Sequence, residues 1–166
     1  MDRHTKNIIT RENCKKDLKD LIKSDISFDA CMLVIVLLIH IPLLCISIYI
    51  LTFSLIIGIP MFLGSLLMPT YYIYELTSDI IRMRLVVHDG FSIVKDRVQV
   101  LSKGEVQNRQ TVNVIYFAEY GRYPANNMTF TLSSVGDEFY LVVIHTKKKE
   151  ATFAYHTNYY ECSELD

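Results

Sequence analysis

The sequence predicts an α+β protein in which a two-helix transmembrane hairpin precedes a small antiparallel β domain, either a curled sheet or a barrel. Three observations lead there. Residues Ala30 to Tyr74 include no Asp, Glu, Lys or Arg, over roughly twice the span that one helix needs to cross hydrocarbon. Beyond Gly90 the pattern changes to short runs of β-branched and aromatic residues separated by turn chemistry. No second long helical pattern follows them. A soluble helix pair would carry polar residues at helical spacing, whereas this run exposes apolar surface on every side unless lipid covers it.

Averages decide less than clustering. With a formal charge of -1 the chain has no global basic field, so nucleic acid is not an expected partner. Membrane lipid, an unknown protein partner and a second copy of the chain are. Cys31 and Cys45 lie within the apolar run and Cys14 and Cys162 outside it, with no CxxC spacing. That pattern suits inert thiols in a reducing compartment rather than a disulfide framework.

Residues 1–29 form a basic amphipathic leader. Cys14, Leu18, Leu21, Ile22 and Ile26 recur at helical spacing, with Lys15, Lys16, Lys19 and Lys23 on much of the remainder. Such a helix can rest in the lipid headgroup layer, its lysines near anionic lipid. Alternatively it is solvated, with Asp17, Asp20 and Asp25 pairing with neighbouring lysines.

Residues 30–74 divide at Thr52-Phe53-Ser54 into two crossings, 30–51 and 55–74. Basic residues flank the run on both sides, Lys15 to Lys23 before it and Arg82 and Arg84 after it, and none lies in the turn. Positive charge stays inside, so both termini are expected on the cytoplasmic side of the plasma membrane. Tyr71, Tyr72 and Tyr74 then mark the inner interface. Pro42, Pro60 and Pro69 free the carbonyls of Leu38, Ile56 and Ser65 and invite kinks. His40, Ser47 and Ser54 on the first helix, and Gly58 and Ser65 on the second, are candidate packing positions, because small and polar side chains let helices approach and hydrogen bond. His40 has no carboxylate nearby as a relay partner, so its expected role is to satisfy a freed carbonyl.

Residues 75–90 continue as a juxtamembrane helix that Asp89-Gly90 stops. Residues 91–162 are the β domain and 163–166 a tail. Six strands are expected, around Phe91–Val94, Val98–Leu101, Val112–Phe117, Thr129–Leu132, Phe139–Ile144 and Thr152–Tyr155. Turns are expected at Lys95-Asp96-Arg97, Lys103-Gly104-Glu105, Tyr120-Gly121-Arg122, Val135-Gly136-Asp137 and the charged tip Lys147-Lys148-Lys149-Glu150.

Sites for chemistry are sparse. His88, His145 and His156 have no zinc-ligand spacing, no Ser or Cys stands in a nucleophile motif, and no glycine-rich phosphate loop occurs. Neither metal nor cofactor is expected. Asn127-Met128-Thr129 matches a glycosylation acceptor that a cytoplasmic tail would leave unused. Tyr116, Phe117, Tyr120 and Tyr123 form an aromatic stretch suited to an interface.

The motif order Phe91-Ser-Ile-Val-Lys-Asp-Arg-Val, Ile115-Tyr-Phe-Ala-Glu-Tyr-Gly, Val135-Gly-Asp-Glu-Phe-Tyr-Leu-Val and Ala154-Tyr-His-Thr-Asn-Tyr-Tyr-Glu resembles that of small bacterial membrane proteins with two helices and a C-terminal β domain. The resemblance implies a layout and no catalytic residue. Membrane-tethered pleckstrin-like domains share the helix-pair-then-sheet plan, but they usually close with a C-terminal helix, for which Tyr159 onward leaves no room. The expected function is therefore a membrane-anchored interaction or regulatory module and not an enzyme. The alternatives are an accessory subunit of a membrane transporter and a lipid-modifying enzyme using His88 and Asp89.

Overall fold

Helix α1 (Arg11–Leu51) and helix α2 (Leu55–Val87) meet at a turn of three residues in the computed structural model, which describes residues 6–107, 110–146 and 151–165. The Lys147–Lys149 tip lies outside those residues. Both helices are long and apolar enough to cross a membrane, and in each only 11% of the most apolar window is buried. Ile56 is 88% exposed, and Leu38 and Leu67 are each 71% exposed. A core helix of a water-soluble protein would show the reverse.

The described residues form two compact units, one running from Asp20 to Arg84 and the other joining the residues up to Lys19 with those from Leu85 onward. Within the hairpin unit, Ser54 caps the second helix: its carbonyl accepts the Gly58 amide at 3.0 Å. Ser54 therefore does not continue the stripe of the first helix, which ends at Leu51. Ser47 and Ser65 are buried and return their hydroxyls to the carbonyls of Leu44 and Phe62. Polar atoms in an apolar setting are thus satisfied within their own turn. Pro42, Pro60 and Pro69 all lie inside the helices.

Gly58 packs tightly against Leu51. A Cβ added there would fall 2.7 Å from the Leu51 Cα, a backbone atom that cannot rotate away. We expect Gly58→Ala to force the turn apart and destabilise the helix pair by about 1–3 kcal/mol. Interhelical spin-label distances taken from the ends nearest the turn would report it. Unchanged distances and an unchanged melting midpoint would show that the two helices do not meet there.

The other unit carries an antiparallel sheet of five strands in the order β4-β3-β2-β5-β6. These are β2 (Phe91–Gln107), β3 (Gln110–Phe117), β4 (Gly121–Ala125), β5 (Glu138–Ile144) and β6 (Ala151–His156). The sheet curls into a half-barrel whose free edges are β4 and β6. A separate parallel pair joins β1 (Asn7–Ile9) to β7 (Tyr160–Cys162), with Ile9 opposite Cys162.

Three expectations change here. The Lys95–Arg97 and Lys103–Glu105 segments are not turns: the first and second expected strands are one 17-residue strand, β2, with register shifts between Val98 and Val100 and between Ser102 and Glu105. Gly104 takes a φ of 75° at the second shift, which a glycine adopts without steric cost. Thr129–Leu132 is not a strand, because Asn126 caps a short helix, α3 (Asn127–Thr131), by accepting the Thr129 amide at 2.7 Å. Tyr120-Gly121-Arg122 does turn the chain, but Gly121 already opens β4, where Pro124 sits on a strand with a free edge.

The concave face holds the core: Val98, Ile115, Phe117, Ala125, Phe139, Leu141 and Val143, with Val94, Leu101 and Phe130 packed against them. On the opposite face, Phe91 and Ile93 pair with Ile144 and Val142, and all four are buried. The Arg11 guanidinium lies over the Phe91 ring, 4.9 Å from its centroid, and Arg11 also donates to the Phe91 carbonyl at 3.0 Å. The start of α1 is thereby fixed to the sheet. Cys14 and Leu18 are fully buried, and so is Ile22 in the hairpin unit. Three of the five apolar residues of the leader are thus covered by protein, while Leu21 stays 37% exposed. Burial pushes the Cys14 thiol up to about 11, with smaller contributions from Cys162 and Asp17.

Helix α2 ends where the sequence places its stop, although Asp89 and not Gly90 takes the left-handed conformation, with φ 58°. The Gly90 amide reaches back to the Leu85 carbonyl at 2.7 Å and the Asp89 amide to that of Val86 at 3.3 Å. Lys15 holds the Asp89 carboxylate at 2.6 Å.

Candidate functional site

The expected aromatic surface does not form one face. Strand alternation turns Phe117 into the core, where it is 2% exposed, and Tyr116 outward, where its hydroxyl donates to Glu105 at 3.0 Å. Tyr120 and Tyr123 pack partly against the core. Only Tyr123 reaches the feature that the fold builds at its open seam.

That feature is a cleft of about 540 Å³. Tyr123 on β4 and Asn126 after it supply one wall, with Met128, Thr129 and Leu132 from the α3 region beside them. Opposite lie the four consecutive β6 residues Phe153 to His156, then Tyr159, Tyr160 and Asn7. Among the described residues, the lining contains no Asp, Glu, Lys or Arg. Rings dominate it, and they brace one another: Tyr155 and Tyr160 meet edge to face at 5.1 Å, and His156 and Tyr159 at 5.4 Å.

Tyr123 also closes the seam. Its hydroxyl accepts the Ala154 backbone amide, while burial is the larger influence and raises its pKa above the ordinary tyrosine value. Burial likewise raises that of Tyr155, helped by Cys14 and Asp17. Both phenols stay protonated across the physiological range and remain hydrogen-bond donors.

His156 is locked rather than poised. Its Nδ1 accepts the Asn158 amide at 3.1 Å, so the proton resides on Nε2, which donates to the Asp137 carboxylate at 3.1 Å. The same carboxylate accepts the Ser134 amide at 2.7 Å. Both ring nitrogens are therefore occupied by the protein.

His40 sits on α1 with Nδ1 at 2.9 Å from the Val36 carbonyl, one turn back and distinct from the Leu38 carbonyl that Pro42 frees. His88 is exposed at the end of α2, and its neighbour Asp89 is bound to Lys15. Asn127 lies on α3 and accepts the Asn113 side-chain amide at 2.9 Å. Among the described residues no group of His, Cys, Asp and Glu is placed to hold a metal ion.

A second polar cluster gathers in the hairpin unit, just outside the charge-free run. Arg82 binds Asp79 at 2.8 Å and lies 3.9 Å from Asp25. Burial first, then Asp79, raises the pKa of Asp25; burial first, then Asp79, Glu75 and Asp25, raises that of Asp29, which also hydrogen bonds to Asp79. Raised values mean that the folded hairpin binds protons more tightly than the unfolded chain. Its contribution to stability is then largest in acid and declines as pH rises through the folded values. Asn in place of Asp29 keeps a donor toward Asp79 and removes the charge, so Asp29→Asn should raise the melting midpoint more at pH 7 than at pH 4. An equal shift at both would sink this account.

Cleft residues beyond Tyr123 escaped the sequence reading, although Phe153 to Tyr160 is conspicuously dense in rings. No protein-family model, curated protein or solved structure matches the chain.

Proposed function

We propose that this protein is a membrane-anchored recognition module: the hairpin holds it in the bilayer with both termini on the cytoplasmic side, and the β domain offers the aromatic cleft to a partner or ligand. The single observation that carries the anchor is the exposed apolar belt of α1 and α2, of which Leu38, Ile56 and Leu67 are the extremes. Each such side chain left in water forgoes about 1.5–3 kcal/mol, and hydrocarbon removes that cost. The orientation is supported by lysines and arginines on both flanks and none at the turn. In favour of recognition rather than conversion are the occupied ring nitrogens of His156 and the uncharged cleft.

Alkaline extraction of membranes tests the anchor. The chain is expected to stay with the bilayer, and release into the aqueous fraction would refute it. Sidedness is tested by Asn158→Cys, an exposed position, in sealed cells. An impermeant thiol reagent should leave it unmodified until the cells are opened. Labelling above the background of the native cysteines in intact cells would reverse the orientation.

A further inference from the structure

We infer that the cleft of the β domain takes an uncharged cyclic ligand with a flat apolar face and hydrogen-bonding edges, the chemistry shared by neutral sugars and neutral heteroaromatic rings. The inference rests on the recognition reading above and assigns its ligand class. Size comes first, since about 540 Å³ falls within the range of small-molecule pockets, which are mostly apolar with a few placed polar groups.

Charge then narrows the class. An anion would be desolvated against a lining whose described residues include no Lys or Arg, and a buried charge without a partner is strongly disfavoured. A cation would find tyrosine faces, but among the described residues no carboxylate lines the cleft to complete a cage. The edge-to-face contacts of Tyr155 with Tyr160 and of His156 with Tyr159 also occupy part of the ring surface that a cation would need. A neutral ring can still stack on what remains.

Hydrogen-bonding groups stand at the ligand's edges. Asn126 directs its Oδ1 to the Thr129 amide, which aims the capping oxygen away from a ligand and leaves the Nδ2 donors of that amide. Asn7 adds a second side-chain amide on the far wall, and Thr129 a hydroxyl. The tyrosine hydroxyls of the lining add donors, protonated at neutral pH as phenols are. His156, with both nitrogens engaged, offers its ring and not a proton.

The test uses the full chain in lipid nanodiscs, with calorimetry and saturation-transfer NMR. The probes are N-acetylglucosamine and adenosine, each beside its phosphorylated counterpart, N-acetylglucosamine 6-phosphate or adenosine 5′-monophosphate, and tetramethylammonium as the cation. Saturable binding of either neutral probe is expected, and which one binds identifies the source. The phosphorylated counterpart should bind about tenfold more weakly. Tyr159→Ala, at a side chain 48% exposed, should weaken binding by about three- to tenfold without moving the melting midpoint. Phe153→Ala provides a second variant if Tyr159→Ala alters the fold. The proposal is overturned if neither neutral probe binds, if the phosphorylated form binds equally well, if tetramethylammonium binds best, or if a folded variant keeps full affinity. Absence of binding by a chain that stays in membranes refutes the ligand class alone; release from membranes with binding intact refutes only the anchor.

Discussion

Phe139→Ala is expected to destabilise the β domain by about 3–5 kcal/mol. The ring has no exposed surface and sits in the core of the curled sheet, 5.5 Å from the Phe117 ring and 4.7 Å from that of His156. Truncation removes apolar burial and leaves a void that β-sheet backbone on either side cannot collapse to fill. The effect should also reach the cleft, because His156 lines it and rests against Phe139. Phe139→Leu, which restores much of the volume, should cost less than about 1.5 kcal/mol. Urea unfolding of the full chain, followed by amide exchange on β5 and β6, measures both. A loss below about 1 kcal/mol for alanine would mean that the sheet does not close around this ring.

The second large effect is at Asp96, which the sequence suggests is a turn residue. It lies within β2, 7% exposed, on the same face as Phe139, its register partner. Its Oδ1 accepts the Arg97 amide at 2.7 Å, and its Oδ2 accepts the amides of Glu119 at 2.9 Å and Tyr120 at 3.1 Å. One carboxylate thus ties β2 to the turn between β3 and β4. Asp96→Ala strands three backbone donors, each costing about 1–3 kcal/mol where water cannot reach it. Water will reach the turn in part, so a total of about 3–4 kcal/mol is expected. Faster amide exchange at Glu119 and Tyr120 is the local signature. Asp96→Asn keeps one acceptor oxygen and should lose about half as much. Equal exchange rates in wild type and Asp96→Ala would show that the carboxylate does not hold the turn.

Exposed ion pairs change the balance less. Lys95 and Arg97 flank Glu138 at 2.5 Å and 3.3 Å, and the hydrogen bond from Lys95 is the first cause holding the Glu138 carboxyl below its usual range. That stabilisation is present above the ordinary carboxylate range and lost as pH falls through the lowered value. It opposes the hairpin carboxyls, whose contribution grows in acid, so the two units should respond to acidification in opposite directions.

By itself the sequence determined the helix pair, the position of its turn at Thr52 to Ser54, the stop near Asp89-Gly90 and an α+β plan with an antiparallel sheet. These depend on local quantities: whether a stretch carries charge, how its apolar residues repeat, and where a chain can cap or turn. Only the tertiary structure decided what depends on partners distant in sequence. Lys95-Asp96-Arg97 continues one strand instead of turning because β5 pairs with it in regular register and the amides of Glu119 and Tyr120 satisfy the Asp96 carboxylate. The start of α1 is held to the sheet by Arg11 on Phe91, and Cys14 and Leu18 are buried there. The cleft exists because a five-stranded sheet curls without closing, bringing Asn7 and Tyr123 to the edge of β6. No local pattern encodes an opening between two strand edges, since its walls come from segments whose only common property is where the fold leaves them.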